Sequence, residues 1–367
     1  MSDRSPLEAE IRRRITTAGP MPLAEYMALC LLDREHGYYT TRDPLGTRGD
    51  FTTAPEVSQM FGELIGLWAA TVWTQMGAPE NVRLIELGPG RGTLMKDALR
   101  AVQIVPEFHS AVVAHLVEIS PVLQAQQEKT LEDAGVTIFW HAKLADVPAG
   151  PAIILANEFF DSLPVNQAMK TDRGWHERRI QSDASDQLAF TIAPEPLPFF
   201  QTLLPAQSST ACAGAIFEWR GDTEAMEVGR RVADGRGAAL VIDYGHLESG
   251  IGETFQAVGQ HAYADPLTAP GALDLTAHVD FQALSRAIEA IGAKRFGPIE
   301  QSQFLRRLGI EQRAASLKAK AARADDIDQA LARLIGRERT AMGELFKVAA
   351  FVHPSIGTPP GFEASAS

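Results

Sequence analysis

The chain predicts an α/β fold built on a mostly parallel sheet, and three observations carry that expectation. Val82, Leu84, Ile85 and Leu87 form a short apolar run that stops at Gly88, Gly90 and Gly92, and a helix-compatible segment, residues 93–102, follows. The unit reads as strand, glycine turn, helix. Further apolar runs then alternate with helical segments, as in sheets whose crossovers are helices. Finally, Glu86, Glu118 and Glu158 all fall at the ends of such runs, and in open α/β sheets ligands bind beyond the carboxyl ends of the strands.

Taken in order, residues 6–15 and 22–33 read as short packing helices, the second with Leu23, Tyr26, Met27, Cys30 and Leu31 on one face. Residues 36–58, rich in Gly, Thr, Asp and aromatics, read as an irregular loop placed to act as a lid. Its Asp50, Thr52 and Thr53 either contact a ligand or cap the following helix. That helix has Pro55 in its first turn and Glu56 against its dipole, and carries Val57, Met60, Phe61, Leu64, Ile65, Trp68, Val72 and Met76 on a core face.

Beyond the glycine turn, residues 111–117 form a second strand. Ser120 caps and Pro121 opens a helix that closes at Gly135. Residues 136–140 are a third strand and 151–156 a fourth, which runs into Asn157, Glu158, Phe159, Phe160 and Asp161. The alternation then breaks for a hairpin around 187–192 and a proline-rich stretch, 194–205, so the region after the fourth strand reads as an insertion. A helix at 223–233 leads into a fifth strand, 238–242, ending at Asp243 and Tyr244. Asp280 or Thr276 starts an amphipathic helix through Phe281, Leu284, Ile288 and Ile291. The charged stretch 311–339 reads as a solvated helical cover and 346–352 as a late strand. The expected organisation is an N-terminal helical region with the lid loop (1–80), a core with C-terminal helices (81–165 and 237–367), and the insertion (166–236).

Composition narrows the function classes. Of 367 residues 45% are hydrophobic and 22% charged, ordinary for a globular chain with a sizeable core. The net charge of −12 argues against non-specific nucleic-acid binding, which needs clustered cations. Cys30 and Cys212 are too few for a disulfide framework or a thiolate metal site, which favours a reducing compartment. No apolar run reaches the roughly 18 residues that span a bilayer. The first residues mix acids with arginines and lack an apolar segment, so neither a secretion signal nor a transit peptide is expected.

The glycine spacing discriminates further. A dinucleotide fingerprint is G-x-G-x-x-G, whereas here the glycines alternate and Glu86 precedes them, which disfavours a nicotinamide dehydrogenase. No Gly-Lys-Ser/Thr follows, so a phosphate-gripping loop is excluded. A carboxylate beside the turn suits a cationic cofactor without phosphates, and E-x-G-x-G-x-G resembles the first motif of methyltransferases that use S-adenosylmethionine. Glu118, at the end of the second strand, stands where a carboxylate can chelate two ribose hydroxyls.

Five ordered strings carry a wider resemblance: GDFTTAPEVSQMFGE (49–63), ELGPGRGTL (86–94), NEFFDSLPV (157–165), DYGH (243–246) and LTAHVDF (275–281). Together they resemble the MidA-like methyltransferase family, which includes the mitochondrial enzyme that assembles respiratory complex I by methylating an arginine of a core subunit. The resemblance implies a Rossmann-like class I methyltransferase sheet with an N-terminal helical region, an insertion after the fourth strand and C-terminal helices. It implies S-adenosyl-L-methionine as cofactor, held by Glu86, Gly88, Gly90, Gly92, Thr93, Glu118 and Asn157 with Asp50, Thr52 and Thr53. It also implies a protein substrate, a complex I subunit or its bacterial counterpart. Asn157 and Glu158 are similar to the start of the acceptor loop of protein arginine methyltransferases, which makes Glu158 the expected guanidinium-binding carboxylate. That loop's second glutamate has no match at its usual spacing, and Asp161, Asp243 or His278 is the expected stand-in. An assembly factor that binds the cofactor without catalysis is the competing expectation.

Overall fold

The computed structural model describes residues 4–41, 53–205, 208, 210–259, 262–319, 323–338 and 340–363. Seven strands make the body of its main sheet: β1 (Val82–Leu87), β2 (Val112–Val117), β3 (Ile138–His141), β4 (Ala152–Asn157), β5 (Ala238–His246), β6 (Lys294–Glu300) and β7 (Phe346–Val352). Their spatial order is β6-β7-β5-β4-β1-β2-β3, with the two-residue strand Val279–Asp280 beside the end of β5. Strands β1 to β5 are mutually parallel, and β7 is antiparallel to both β5 and β6. The order 3-2-1-4-5 is that of a doubly wound sheet, reversing between β1 and β4.

Register fixes where the strands end. Leu87 lies opposite Val117 on one side and Ala156 on the other, so the glycine turn, Glu118 and the Asn157–Glu158 pair emerge at one height. Side chains alternate across the sheet and serve two cores. Val82 and Leu84 face the helices Gln59–Gln75 and Thr93–Ala101, while Ile85 and Leu87 face Thr223–Asp234 and Phe281–Glu289. β4, covered on both faces, is apolar from Ala152 to Ala156, as a central parallel strand must be.

A separate antiparallel sheet joins Val165–Thr171, Gly174–Ser182, Leu188–Ile192 and Ile216–Arg220, with Met21 and Pro22 on its edge. The helices Pro6–Ala18 and Leu23–Leu32 share a core with it: Leu7, Ile11, Tyr26 and Met27 pack in one cluster with Val165, Ile180 and Leu275. Gln256–Gly259, Ala262–Ala264 and Asp274–Thr276 form a third, small sheet.

Several expectations need correction. The helix foreseen from Pro55 to Met76 is two, Ala54–Val57 and Gln59–Gln75, broken at extended Ser58, whose hydroxyl accepts the Met60 N–H. The second strand starts late because Pro106–Ala111 is helical. Most described residues of the stretch 311–339 are exposed, as a helical cover requires, but Ala314, Leu334 and Ile335, with Ile310 just before it, enter the main core, and Arg313 makes a two-point ion pair at 2.7 and 2.9 Å with buried Glu63. Strand β6 was not foreseen. Its Lys, Arg, Gly and Pro suit a sheet edge, where β6 lies. Ser120 and Asp280 cap their helices as expected, accepting from Leu123 and Ala283.

Candidate active site

The carboxyl ends of β1, β2, β4 and β5 open into a cavity of about 880 Å³. The glycine turn forms part of its wall. Gly88, Gly90 and Gly92 have φ of +59°, +53° and +81°, a left-handed region open to glycine at little cost. A Cβ on Gly88 would lie 3.1 Å from the ring of Phe159. Gly88, Gly90 and Thr93 line the cavity, whereas Gly92 faces Leu131 and Gln127. Thr93 donates its hydroxyl to Glu56, which brings the Ala54–Val57 helix onto the turn.

Buried Gln127, which sequence reading did not single out, welds this corner. Its amide nitrogen donates to the Gly90 carbonyl at 2.7 Å and to Glu118 Oε2 at 3.1 Å, and its oxygen accepts from the Trp140 indole at 2.9 Å. Glu118 also accepts from the Ser120 N–H at 2.8 Å. Burial pushes the Glu118 carboxyl up, and these donors oppose it. Glu86 is only 3% exposed, and its Oε2 has no hydrogen-bond partner among the described residues. Burial lifts its pKa to about 8, against the Met95 N–H, with Glu118 adding to the rise.

At the end of β4, Glu158 has φ +51°, a conformation that costs a non-glycine residue about 1–3 kcal/mol and collects at functional sites. Its N–H is held by the Ile242 carbonyl at 2.9 Å. Oε1 accepts from the Ala54 N–H at 3.2 Å and the Asn157 amide at 3.3 Å, while Asn157 Oδ1 has no partner among the described residues. The Glu158 pKa is raised to about 8, first by burial, then by Asp161, with the two donors opposing and Asp274 adding.

The three expected stand-ins part company. Asp161 lines the cavity; its Oδ2 accepts the Tyr244 hydroxyl at 2.5 Å, and its Oδ1 has no partner among the described residues. Asp243 does not line the cavity, which corrects its expected role as a residue that touches substrate. It is fully buried, and its carboxylate accepts from the N–H groups of Phe160 (3.0 Å), Asp161 (3.2 Å) and Tyr244 (2.9 Å), so it shapes the loop after β4. His278 lines the cavity edge-to-face with Tyr244, and burial lowers its pKa, keeping the ring neutral at pH 7. Thr53 lines the cavity but makes no side-chain cap bond; Asp50 and Thr52 lie outside the described residues.

Arg220, the last residue of the strand Ile216–Arg220, is a second feature not anticipated. Its guanidinium donates to the carbonyls of Leu163 (3.1 Å), His278 (2.8 Å), Asp161 (2.9 Å) and Ala277 (2.6 Å). It thereby clasps the loop after β4 to the segment before the Phe281 helix. Also on the cavity wall, Tyr39 donates to Asp274 Oδ1 at 2.7 Å.

Residues 64–299 match the sequence family described as "Putative S-adenosyl-L-methionine-dependent methyltransferase". The chain is similar to the protein arginine methyltransferase NDUFAF7 homolog, mitochondrial, of Drosophila melanogaster: 38% identical over 353 residues, 87% of this chain and 78% of that one. It is also similar to the human mitochondrial protein arginine methyltransferase NDUFAF7, 38% identical over 84% of this chain and 74% of that one. Its fold superposes with a TM-score of 0.85 and 27% identity on a Burkholderia thailandensis protein, described as a "likely methyl transferase" and bound to S-adenosyl-homocysteine, covering 98% of this chain and 94% of that one. With its glycine turn and three strand-end glutamates set around one cavity, the chain belongs to this family of S-adenosylmethionine-dependent methyltransferases.

Proposed function

We propose that the enzyme methylates an arginine side chain of a protein partner, a respiratory complex I subunit or its bacterial counterpart. The names of its relatives support the arginine, and the residues of the cavity fit the cofactor. Among the described residues Glu86 presents an unpartnered carboxylate oxygen and Asn157 an unpartnered amide oxygen, both suited to a cationic ligand, and Gly88 leaves the space that a side chain would take from it. Glu118 supplies a carboxylate for hydroxyl groups. Bound there, S-adenosylmethionine supplies a methyl group made electrophilic by its sulfonium. The protein's part is then orientation and exclusion of water, and orientation alone contributes roughly 7 to 11 kcal/mol.

Glu158 carries the arginine reading: a carboxylate in strained backbone, on the cavity wall beside the glycine turn. A guanidinium is charged at pH 7, and a carboxylate binds it through charge-assisted hydrogen bonds that favour one nitrogen geometry. Glu158 holds that cation and can accept the proton its nitrogen loses on methylation. Asp243 and Arg220 position the loop that carries it.

Glu158→Gln keeps the shape and removes the charge. The expected result is near-normal S-adenosylmethionine affinity by calorimetry, with single-turnover methyl transfer at least about a hundredfold slower, close to 2.7 kcal/mol at the barrier. A loss under about tenfold would reduce Glu158 to a cap of the Ala54–Val57 helix. Lost cofactor binding would move it to the cofactor site.

A further inference from the structure

The small sheet turns one face to the cavity. Gln256, Val258, Tyr263, Asp274 and Thr276 line it. The register sets Val258 opposite both Tyr263 and Asp274, and Gln256 opposite Thr276, so all five project from the same side of the sheet. Ala257 and Leu275, which alternate with them, project from the other side and enter the core shared with the N-terminal helices.

The outer strand of this sheet, Ala262–Ala264, is exposed along its whole length, and among the described residues it pairs only with Gln256–Gly259. Such an edge leaves N–H and C=O groups able to pair with another extended chain. Proteins blunt edges with charge and proline, as β6 does with Lys294, Arg295 and Pro298. Ala262, Tyr263 and Ala264 bring neither. Tyr263 is instead 75% exposed while lining the cavity, and Leu32, Ile119 and Leu345 are exposed apolar residues of the same lining. Exposed apolar groups gathered around a cavity mark a surface for a partner.

The cavity behind the edge says which partner. Among the described residues eight acids line it against four lysines and arginines, which suits the entry of a cationic side chain. A side chain carried by a protein enters only if its backbone passes over the rim. The free edge is where a passing backbone finds partners for its own N–H and C=O groups.

We propose that the protein substrate docks as an extended segment added to the edge Ala262–Ala264, continuing the small sheet, with its arginine on the side that looks into the cavity. The proposal rests on the arginine reading above and adds the conformation that the substrate adopts. Main-chain pairing supplies binding that does not depend on substrate sequence. The period of two turns the residues next to the arginine away from the cavity.

The test uses the peptide acetyl-Thr-Val-Thr-Arg-Thr-Val-Thr-amide and the full chain saturated with S-adenosyl-homocysteine. Each backbone nitrogen of the peptide is methylated in turn and affinity is measured by calorimetry. An added strand offers the enzyme the N–H of every second residue, so methylation there should weaken binding about tenfold or more, and at the alternate positions by under about twofold. Hydrogen exchange at the outward amides of 262–264 should slow when the unmodified peptide binds. The changes lie in the peptide, so folding of the enzyme is not at stake. Binding without that alternation, or alternation without slowed exchange at 262–264, overturns docking at this edge; a preference of about tenfold over the citrulline peptide would then leave the arginine reading standing. Alternation with slowed exchange but equal affinity for the citrulline peptide upholds the edge and removes arginine as the group selected. No binding at millimolar concentration overturns the proposal, because pairing through the main chain requires no particular sequence.

Discussion

Glu86 and Glu158 show how the site stores electrostatic work. Each has a pKa raised to about 8, with burial the largest cause, so in the ligand-free protein both are mostly protonated at pH 7. The folded value lies above the unfolded one, so their stabilising contribution is complete below about pH 4.5 and is lost as pH climbs toward 8. The thermal midpoint of the ligand-free protein should therefore fall over that window, and Glu86→Gln, which cannot ionise, should fall less steeply. An equal slope in the variant would show that Glu86 ionises freely in the folded chain. A cationic ligand reverses the sign, since it favours the carboxylates. Glu118→Ala has a different signature: cofactor affinity about tenfold to a hundredfold weaker, by the loss of a charge-assisted contact of about 1.5–3 kcal/mol. A neutral effect in calorimetry would place Glu118 outside the site.

At the scale of elements, the loop after β4 is the piece most dependent on others. Asp243 receives its N–H groups from beneath, and Arg220 holds its carbonyls from the antiparallel sheet. Arg220→Met should cost about 3–5 kcal/mol, because four carbonyls lose their donor and Asp161, Asp243 and Glu218 lose a buried cation, and urea unfolding should show it as a lower midpoint at unchanged slope. A change under about 1 kcal/mol would mean that the guanidinium is solvated rather than clasped. What was legible in sequence follows the same division. The glycine turn, the caps at Ser120 and Asp280 and the run of β4 are local, and periodicity or turn chemistry exposes them. Arg220, Gln127 and the Tyr39–Asp274 pair act through contacts between distant segments, which one sequence does not display. The stretch 311–339 reads as a solvated cover because charges dominate it, and its three buried positions among the described residues, Ala314, Leu334 and Ile335, are too few to show in sequence that it also enters the core.

For the whole molecule, the N-terminal helices, the antiparallel sheet and the small sheet meet in one core, and the cavity takes residues from that assembly and from the main sheet alike. The C-terminal helices are tied in by Arg313, whose partner Glu63 is also reached by Arg100 at 3.2 Å. Because Arg313 is partly exposed and Arg100 remains, Arg313→Ala should cost only about 1 kcal/mol, a few degrees in thermal midpoint. A drop beyond about 10 °C would mean that these helices hold the fold together rather than dress it. The most direct measurement of function is transfer of an isotope-labelled methyl group from S-adenosylmethionine, by the purified enzyme, to the proteins of a strain that lacks it, followed by tandem mass spectrometry of the labelled peptides. Label on arginine guanidino nitrogens, absent with Glu158→Gln, is the expected result; label on another residue type, or none from a preparation that binds the cofactor, would contradict arginine methylation.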